Sequence, residues 1–189
     1  IIRQQATAKQ LDPSLLAAVI YAESRFRDQT SPAGARGLMQ ITPETAHYIA
    51  RLSGGTQFEQ GDLATPQINI SYGAYYLRYL LKRYADNTVL ALAAYNGGEG
   101  NVDRWIVRAS QSERAFTVEQ IPFGETRAYI GRVLDARTRY REKYPRELGL
   151  LRANELGDRR RTAFEHVSPR EGDVVGTPAP GDIGLERHP

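Results

Sequence analysis

Asp12-Pro13-Ser14-Leu15-Leu16-Ala17-Ala18-Val19-Ile20-Tyr21-Ala22-Glu23-Ser24-Arg25-Phe26 is the stretch that decides the fold. Aspartate followed by proline is a helix start. The carboxylate can accept from an orphan amide of the first turn, and proline at the first helical position forfeits no hydrogen bond. Leu15, Leu16, Val19, Ile20 and Ala22 then supply the apolar residues of a helix reaching about residue 25. Ile20 and Val19 stand three and four positions before Glu23, so the carboxyl shares their inward stripe. Burial on such a face raises a carboxyl pKa and favours the protonated form near neutral pH. A general acid for a glycosidic oxygen needs that property. A structural glutamate that caps a loop, or pairs with Arg25 or Arg36, is the plainer alternative.

The same grammar recurs downstream. Thr42-Pro43 opens a helix carrying Ala46, Ile49, Ala50 and Leu52, which Gly54-Gly55 ends. Thr65-Pro66 opens what reads as the longest helix, with Ile68, Tyr72, Tyr75, Tyr76, Tyr79 and Leu80 at helical spacing. Shorter helices are expected over residues 87–95 and 101–108, with Gly97-Gly98-Glu99-Gly100 as a turn between them. A final helix over 125–144 puts Ile130, Val133, Leu134 and Ala136 inward. Strand-like alternation is confined to residues 37–41 and 116–118, each long enough only for a small ribbon. The fold class is mainly α, with functional residues on the loops between helices.

Composition narrows the chemistry. The chain has 189 residues, 41% hydrophobic and 25% charged, enough for one ordinary domain with a core. No apolar run approaches the roughly 18 residues a membrane span needs. The opening Ile1-Ile2-Arg3-Gln4 carries no targeting segment and reads as a mature or trimmed start. Cysteine is absent, which removes disulfides, thiolate nucleophiles and cysteine zinc sites. Residues 1–150 hold a single histidine, His47, on the outward side of a short helix, which argues against catalytic triads and zinc. No phosphate-binding or dinucleotide-binding glycine pattern is present. The net charge of +3 is spread over scattered Lys and Arg without a nucleic-acid-reading module. Carboxylate chemistry remains, and neither a cofactor nor a metal is expected.

The chain changes character near residue 150. From Leu151 onward six arginines face seven carboxylates, so this part carries −1 and residues 1–150 carry +4. Pro169, Pro178, Pro180, Pro189 and five glycines interrupt it, without sustained apolar periodicity. The expected organisation is a catalytic domain over residues 1–150 and an irregular or disordered extension over 151–189. A short stretch around Phe164 could pack on the domain, and Arg159-Arg160-Arg161 reads as a solvated run.

After Glu23 comes Ser31-Pro32-Ala33-Gly34-Ala35-Arg36-Gly37-Leu38-Met39-Gln40-Ile41-Thr42-Pro43. Gly34 and Gly37 permit tight turns and close backbone approach to a ligand. Gln40 offers an amide suited to sugar hydroxyls and acetamido groups. Met39 suits either a core filler or a flexible wall against a sugar ring. Glu23-Ser24-Arg25-Phe26, Gly34-Ala35 and Gly37-Leu38-Met39-Gln40 resemble the first motifs of the soluble-type lytic transglycosylase family (glycoside hydrolase family 23). Ala93-Ala94-Tyr95-Asn96-Gly97-Gly98 and Ile121-Pro122-Phe123-Gly124-Glu125-Thr126-Arg127-Ala128-Tyr129 follow in order, with Asn69 and Gly73-Ala74-Tyr75-Tyr76-Leu77 between. The resemblance covers about residues 10–145.

That resemblance implies a lysozyme-like α-helical domain with a long groove for a glycan strand. It implies cleavage of the β-1,4 bond between N-acetylmuramic acid and N-acetylglucosamine, leaving 1,6-anhydromuramyl ends. Glu23 takes the role of sole catalytic acid and base. Ser31 would orient the reacting acetamido group, while Met39 and Gln40 would line the central subsites. Tyr95 and Asn96 would sit across the groove, a buried aromatic being the plainer alternative for Tyr95. Glu125 would contact substrate, and Tyr129, four residues on and on the same helix face, would help to hold Glu23. Arg127 is expected to pair with a carboxylate, and most of Tyr72, Tyr75, Tyr76 and Tyr79, with Trp105, belong to the core. The implied partner is peptidoglycan, with no nucleic acid and no membrane span, which places the protein outside the bacterial cytoplasm. A goose-type-lysozyme-like muramidase using water and a non-catalytic glycan-binding scaffold are the other readings of the same motifs.

Overall fold

The computed structural model describes residues 1–54, 60–111 and 116–151. Among them run seven helices: α1 (Ile2–Ala8), α2 (Pro13–Ser24), α3 (Pro43–Ser53), α4 (Pro66–Arg83), α5 (Thr88–Gly97), α6 (Glu99–Gln111) and α7 (Gly124–Lys143). Short 3-10 turns occupy Gln60–Ala64 and Val118–Gln120. The lysozyme-like, mainly α architecture expected above is the one found. All the expectations for residues 152–189, including the stretch around Phe164, lie outside the described residues.

Helix starts follow the cap-and-proline grammar. Asp12 Oδ1 accepts from the Ser14 amide at 2.8 Å, and Thr42 Oγ1 accepts from the Thr45 amide at 3.2 Å. Thr65 makes no side-chain cap bond, so α4 relies on Pro66 alone for its start. Three expectations need correction. The longest helix is α7, at 20 residues against 18 for α4; α4 ends where Ala85 and Asp86 turn left-handed (φ 52° and 58°), whereas α7 meets no breaker before Pro145. Helix α1 was not expected, because only Ala6 of its seven residues is buried and no stripe shows. Residues 116–118 form no ribbon; they lead into the 3-10 turn, where the Thr117 amide donates to Gln120 Oε1 at 2.9 Å. The stretch around 37–41 is barely a ribbon, with isolated bridges pairing Thr30 with Arg36 and Arg36 with Ile41.

The most extensively packed helix pair is α2 with α7. Leu15, Leu16, Val19 and Ile20 from α2 and Ile130, Val133 and Ala136 from α7 are buried in one core. The pair is antiparallel: Asp12, at the start of α2, binds Arg137 (2.7 Å) and Arg141 (3.0 Å) near the end of α7. The end of α2 therefore meets the beginning of α7, and Glu23 comes to the first turns of that helix. No helix among the described residues is long and apolar enough to cross a membrane.

Candidate active site

Glu23 lies in the last turn of α2, which stops at Arg25 in a left-handed conformation (φ 53°). Ser24 secures this end, its hydroxyl meeting the carbonyls of Ile20 (3.1 Å) and Leu38 (2.7 Å). The Glu23 carboxyl is only partly exposed. Burial pushes its pKa up to about 7, and the nearby charge of Glu125 adds to the rise. The Tyr129 hydroxyl and the Arg132 guanidinium pull the other way. A carboxyl held there is protonated in a large share of molecules at neutral pH, yet ionises readily afterwards. One group can thus serve as acid and then as base.

Two tyrosines flank this carboxyl. Tyr129 is 1% exposed, and its hydroxyl, interacting with Glu23, makes no full hydrogen bond to the described residues. Arg132 stands 5.9 Å from the centre of the Tyr129 ring. Tyr95, from α5, donates its hydroxyl proton to the Met39 carbonyl at 3.0 Å. Burial raises the phenol pKa of both tyrosines, and the Glu23 charge is the second cause in each case. The structure therefore brings Glu23, Tyr95, Tyr129 and Glu125 together. Glu125 is exposed in the first turn of α7.

The other expected residues are placed as follows. Thr126 donates to Asn96 Oδ1 at 2.8 Å, and the Asn96 Nδ2 donors have no partner among the described residues. Ser31 Oγ accepts from the Ala35 amide at 3.1 Å and so stiffens its own turn. Gln40 spends Nε2 on the carbonyls of Gln29 (3.0 Å) and Gly37 (2.8 Å), which leaves Oε1 as its offer to a ligand. Met39 is a correction: its side chain is 0% exposed and packs on Gly73, so it cannot wall a sugar. Its contribution is the backbone carbonyl that holds Tyr95. Arg127 also differs from expectation: it donates to the Ile121 carbonyl, and among the described residues it pairs with no carboxylate.

Tyr76 is buried, with Tyr72, Tyr75 and Tyr79 half-buried against the core, and His47 is exposed. Trp105 is 6% exposed, edge-on to Phe123, and lines a cavity of about 200 Å³ with Arg108, Ala109, Phe116, Gln120 and Pro122. None of those residues belongs to the Glu23 cluster.

Sequence reasoning missed Arg132 and the role of Asn69. Arg132 follows Tyr129 by three positions, a spacing that puts both on one face and could have flagged it. Asn69 stood only within a motif; in the structure it is 0% exposed and fully hydrogen-bonded.

Fold and site together define a class: a helical domain that presents one proton-retaining glutamate between a buried and a half-buried tyrosine. The sequence matches the Transglycosylase SLT domain family over residues 1–117, and the chain belongs to that family. The soluble lytic murein transglycosylase of Escherichia coli K12 is 35% identical over 162 residues, which is 84% of this chain and 25% of that protein. The membrane-bound lytic murein transglycosylase F of Pseudomonas fluorescens is 40% identical over 108 residues, 52% of this chain and 20% of that one. Among solved structures, the complex of the 70-kDa soluble lytic transglycosylase with bulgecin A superposes with a TM-score of 0.71 at 33% identity. That match covers 82% of this chain and 25% of the other. An inactive mutant of lytic transglycosylase Slt from Pseudomonas aeruginosa gives 0.67 at 34% identity, covering 75% and 23%. The chain thus spans a fifth to a quarter of the length of these relatives.

Proposed function

We propose that this chain is the catalytic part of a peptidoglycan lytic transglycosylase in which Glu23 is the single acid and base. The observation that carries the reading is a half-buried carboxyl whose pKa lies at about 7 between Tyr95 and Tyr129. Protonated Glu23 gives its proton to the glycosidic oxygen as the bond to C1 of the muramyl residue breaks. The acetamido carbonyl oxygen of the same sugar bonds to C1 and holds the positive charge. Ionised Glu23 then takes the proton of the 6-hydroxyl, whose oxygen attacks C1 and displaces the acetamido oxygen. The ring closes to the 1,6-anhydro product, and Glu23 is again protonated. Because the attacking hydroxyl is already attached to the sugar, this step outruns attack by water.

The supporting groups fit these steps. Tyr95 has committed its proton to Met39, so its oxygen is left as an acceptor, suited to the acetamido N–H. Asn96, Ser31 and Gln40 offer polar atoms for sugar substituents, and Glu125 a charge for substrate at the exposed end of the site. The relatives support the reading by name, as does the inactive Pseudomonas aeruginosa mutant, in which glutamine replaces a glutamate. Such a substrate places the protein outside the bacterial cytoplasm. Residues 1–150 form the catalytic domain in this reading, and removing 151–189 is expected to leave cleavage intact.

A second reading has one observation in its favour. Folding brings the Glu125 charge into range of Glu23, and a second carboxylate could serve water-using hydrolysis. Mass spectrometry of soluble fragments from purified peptidoglycan separates the two. Anhydromuramyl ends that vanish with Glu23→Gln support the transglycosylase; reducing muramic acid ends make the protein a hydrolase. No fragments from either protein would move the weight to a binding scaffold.

A further inference from the structure

One face of α4 carries Asn69, Gly73 and Tyr76, spaced by four and three residues. All three engage the same short piece of chain or the tyrosine it holds. Asn69 Oδ1 accepts the Met39 amide at 2.8 Å, while Nδ2 donates to the carbonyls of Arg36 (2.9 Å) and Leu63 (3.1 Å). Gly73 leaves room for the Met39 side chain; a Cβ there would fall 2.3 Å from Met39 Sδ. The Tyr76 ring packs against that of Tyr95, with centroids 5.5 Å apart. Gly37 completes the fit from the loop, since a Cβ at that position would stand 2.1 Å from Asn69 Nδ2.

The backbone of Leu38 and Met39, two successive peptide units, is consequently gripped at three points. Its Leu38 carbonyl takes the hydroxyl of Ser24, the neighbour of Glu23 (2.7 Å). Asn69 holds the Met39 amide, and the Met39 carbonyl takes the Tyr95 proton at 3.0 Å. These two successive peptides therefore space the end of α2, which carries the acid, from Tyr95 on α5. We propose that Asn69 is a positioning residue for the reaction: through the backbone of Met39, whose amide it holds, it fixes the Tyr95 oxygen, as an acceptor, relative to Glu23. It touches neither substrate nor the reacting atoms. The inference rests on the transglycosylase reading of the Glu23 site and adds to it the device that aligns its second wall.

A double-mutant cycle on the full chain tests this, with wild type, Asn69→Ala, Tyr95→Phe and the double variant digesting purified peptidoglycan well below their Tm values. Acting through Tyr95, Asn69→Ala should lower kcat about tenfold with KM nearly unchanged, and Tyr95→Phe should do the same. The double variant should then be no more than about twofold worse than the poorer single one. A merely structural asparagine predicts multiplied losses of about a hundredfold, and that result overturns the proposal. If Asn69→Ala does not fold, Asn69→Ser takes its place in the cycle. Tyr95→Phe keeps the ring packing and removes only the hydroxyl, so an unchanged kcat in that variant also overturns the proposal. Glu23→Gln run alongside separates the two claims. If it stays active, the reading of the site falls; if it is dead and the cycle is multiplicative, only the role of Asn69 does.

Discussion

The seam between α2 and α7 is held by buried apolar side chains, Leu16, Val19 and Ile20 on one helix and Ile130 and Val133 on the other. Residues 31–41 are held by hydrogen bonds and by glycines: Ser31 to Ala35, Gln40 to Gly37 and Gln29, Asn69 to the Met39 and Arg36 backbone. The first region places an acid and, by excluding water from it, sets its pKa. The second places polar atoms and carbonyls whose directions matter more than their burial. Apolar packing tolerates small shifts because dispersion and desolvation fall off gradually with area. Hydrogen-bonded placement does not, since a lost partner leaves a buried polar group unsatisfied.

The largest expected effect lies on the seam itself. Glu23→Gln keeps shape and packing but removes the proton, and should slow release of anhydromuramyl fragments by about a thousandfold. For the wild type, the acid role requires the protonated form, so the rate of the first step should fall as pH rises through about 7. A pH–rate profile with its basic limb near 4 would show that burial does not set the carboxyl as described.

Comparing one substitution in each region sharpens the contrast. Leu16→Ala deletes buried volume and should cost about 3 kcal/mol of stability, with turnover within about twofold of wild type well below Tm. Gly37→Ala sets a methyl 2.1 Å from Asn69 Nδ2 and 2.9 Å from the Leu63 carbonyl, at a φ of 76° that disfavours alanine. It should slow turnover about tenfold, because the loop that carries the Met39 carbonyl must move. Urea melts and initial rates on the two variants check this. If Leu16→Ala is the slower enzyme, the division between the regions is wrong.

The same division explains what the sequence made legible. The seam could be read because Leu15, Leu16, Val19 and Ile20 repeat at helical spacing, and Glu23 follows them in phase. The helix starts at Pro13, Pro43 and Pro66 could be read from local capping chemistry. The loop could not, because Asn69 acts on residues about thirty positions away and its partners are backbone atoms, which leave no side-chain pattern. Met39 shows the limit well: its type allowed wall or core, and only the gap above Gly73 decides for core. The gathering of Glu125 and Arg132 around Glu23 depends on the antiparallel docking of α7, which no local window contains.

Burial of Glu23 has a cost in stability that can be measured. The folded state keeps the proton up to about pH 7, whereas an unfolded glutamate releases it near its ordinary pKa of 4.5. Stability contributed by this group is therefore present below about pH 4.5 and is lost as pH rises to about 7. The span corresponds to about 3 kcal/mol at most. Glu23→Gln does not titrate, so its advantage over the wild type should grow across that interval and level off above it. Paired melts at pH 5 and pH 8 test the sign, and equal differences at both would exclude a strained, buried acid.

The smallest effect is expected at the far end of the seam, where the contact is polar and partly solvated. Asp12 binds Arg137 and Arg141 and also caps α2. Its carboxyl is held below the usual range because the Ser14 and Arg137 hydrogen bonds outweigh a desolvation that acts alone in the other direction. Stability from this group is therefore present above the ordinary aspartate pKa and is lost as pH falls through the folded value. Asp12→Asn keeps an acceptor for the Ser14 amide but gives up the charge. Arg141 is exposed and Arg137 half-buried, so solvent and salt screen the pairs in part, and the loss at pH 7 should stay below about 1 kcal/mol. It should shrink further in high salt. A loss comparable to that of Leu16→Ala, insensitive to salt, would mean that the ion pairs carry the seam and that its apolar face is secondary.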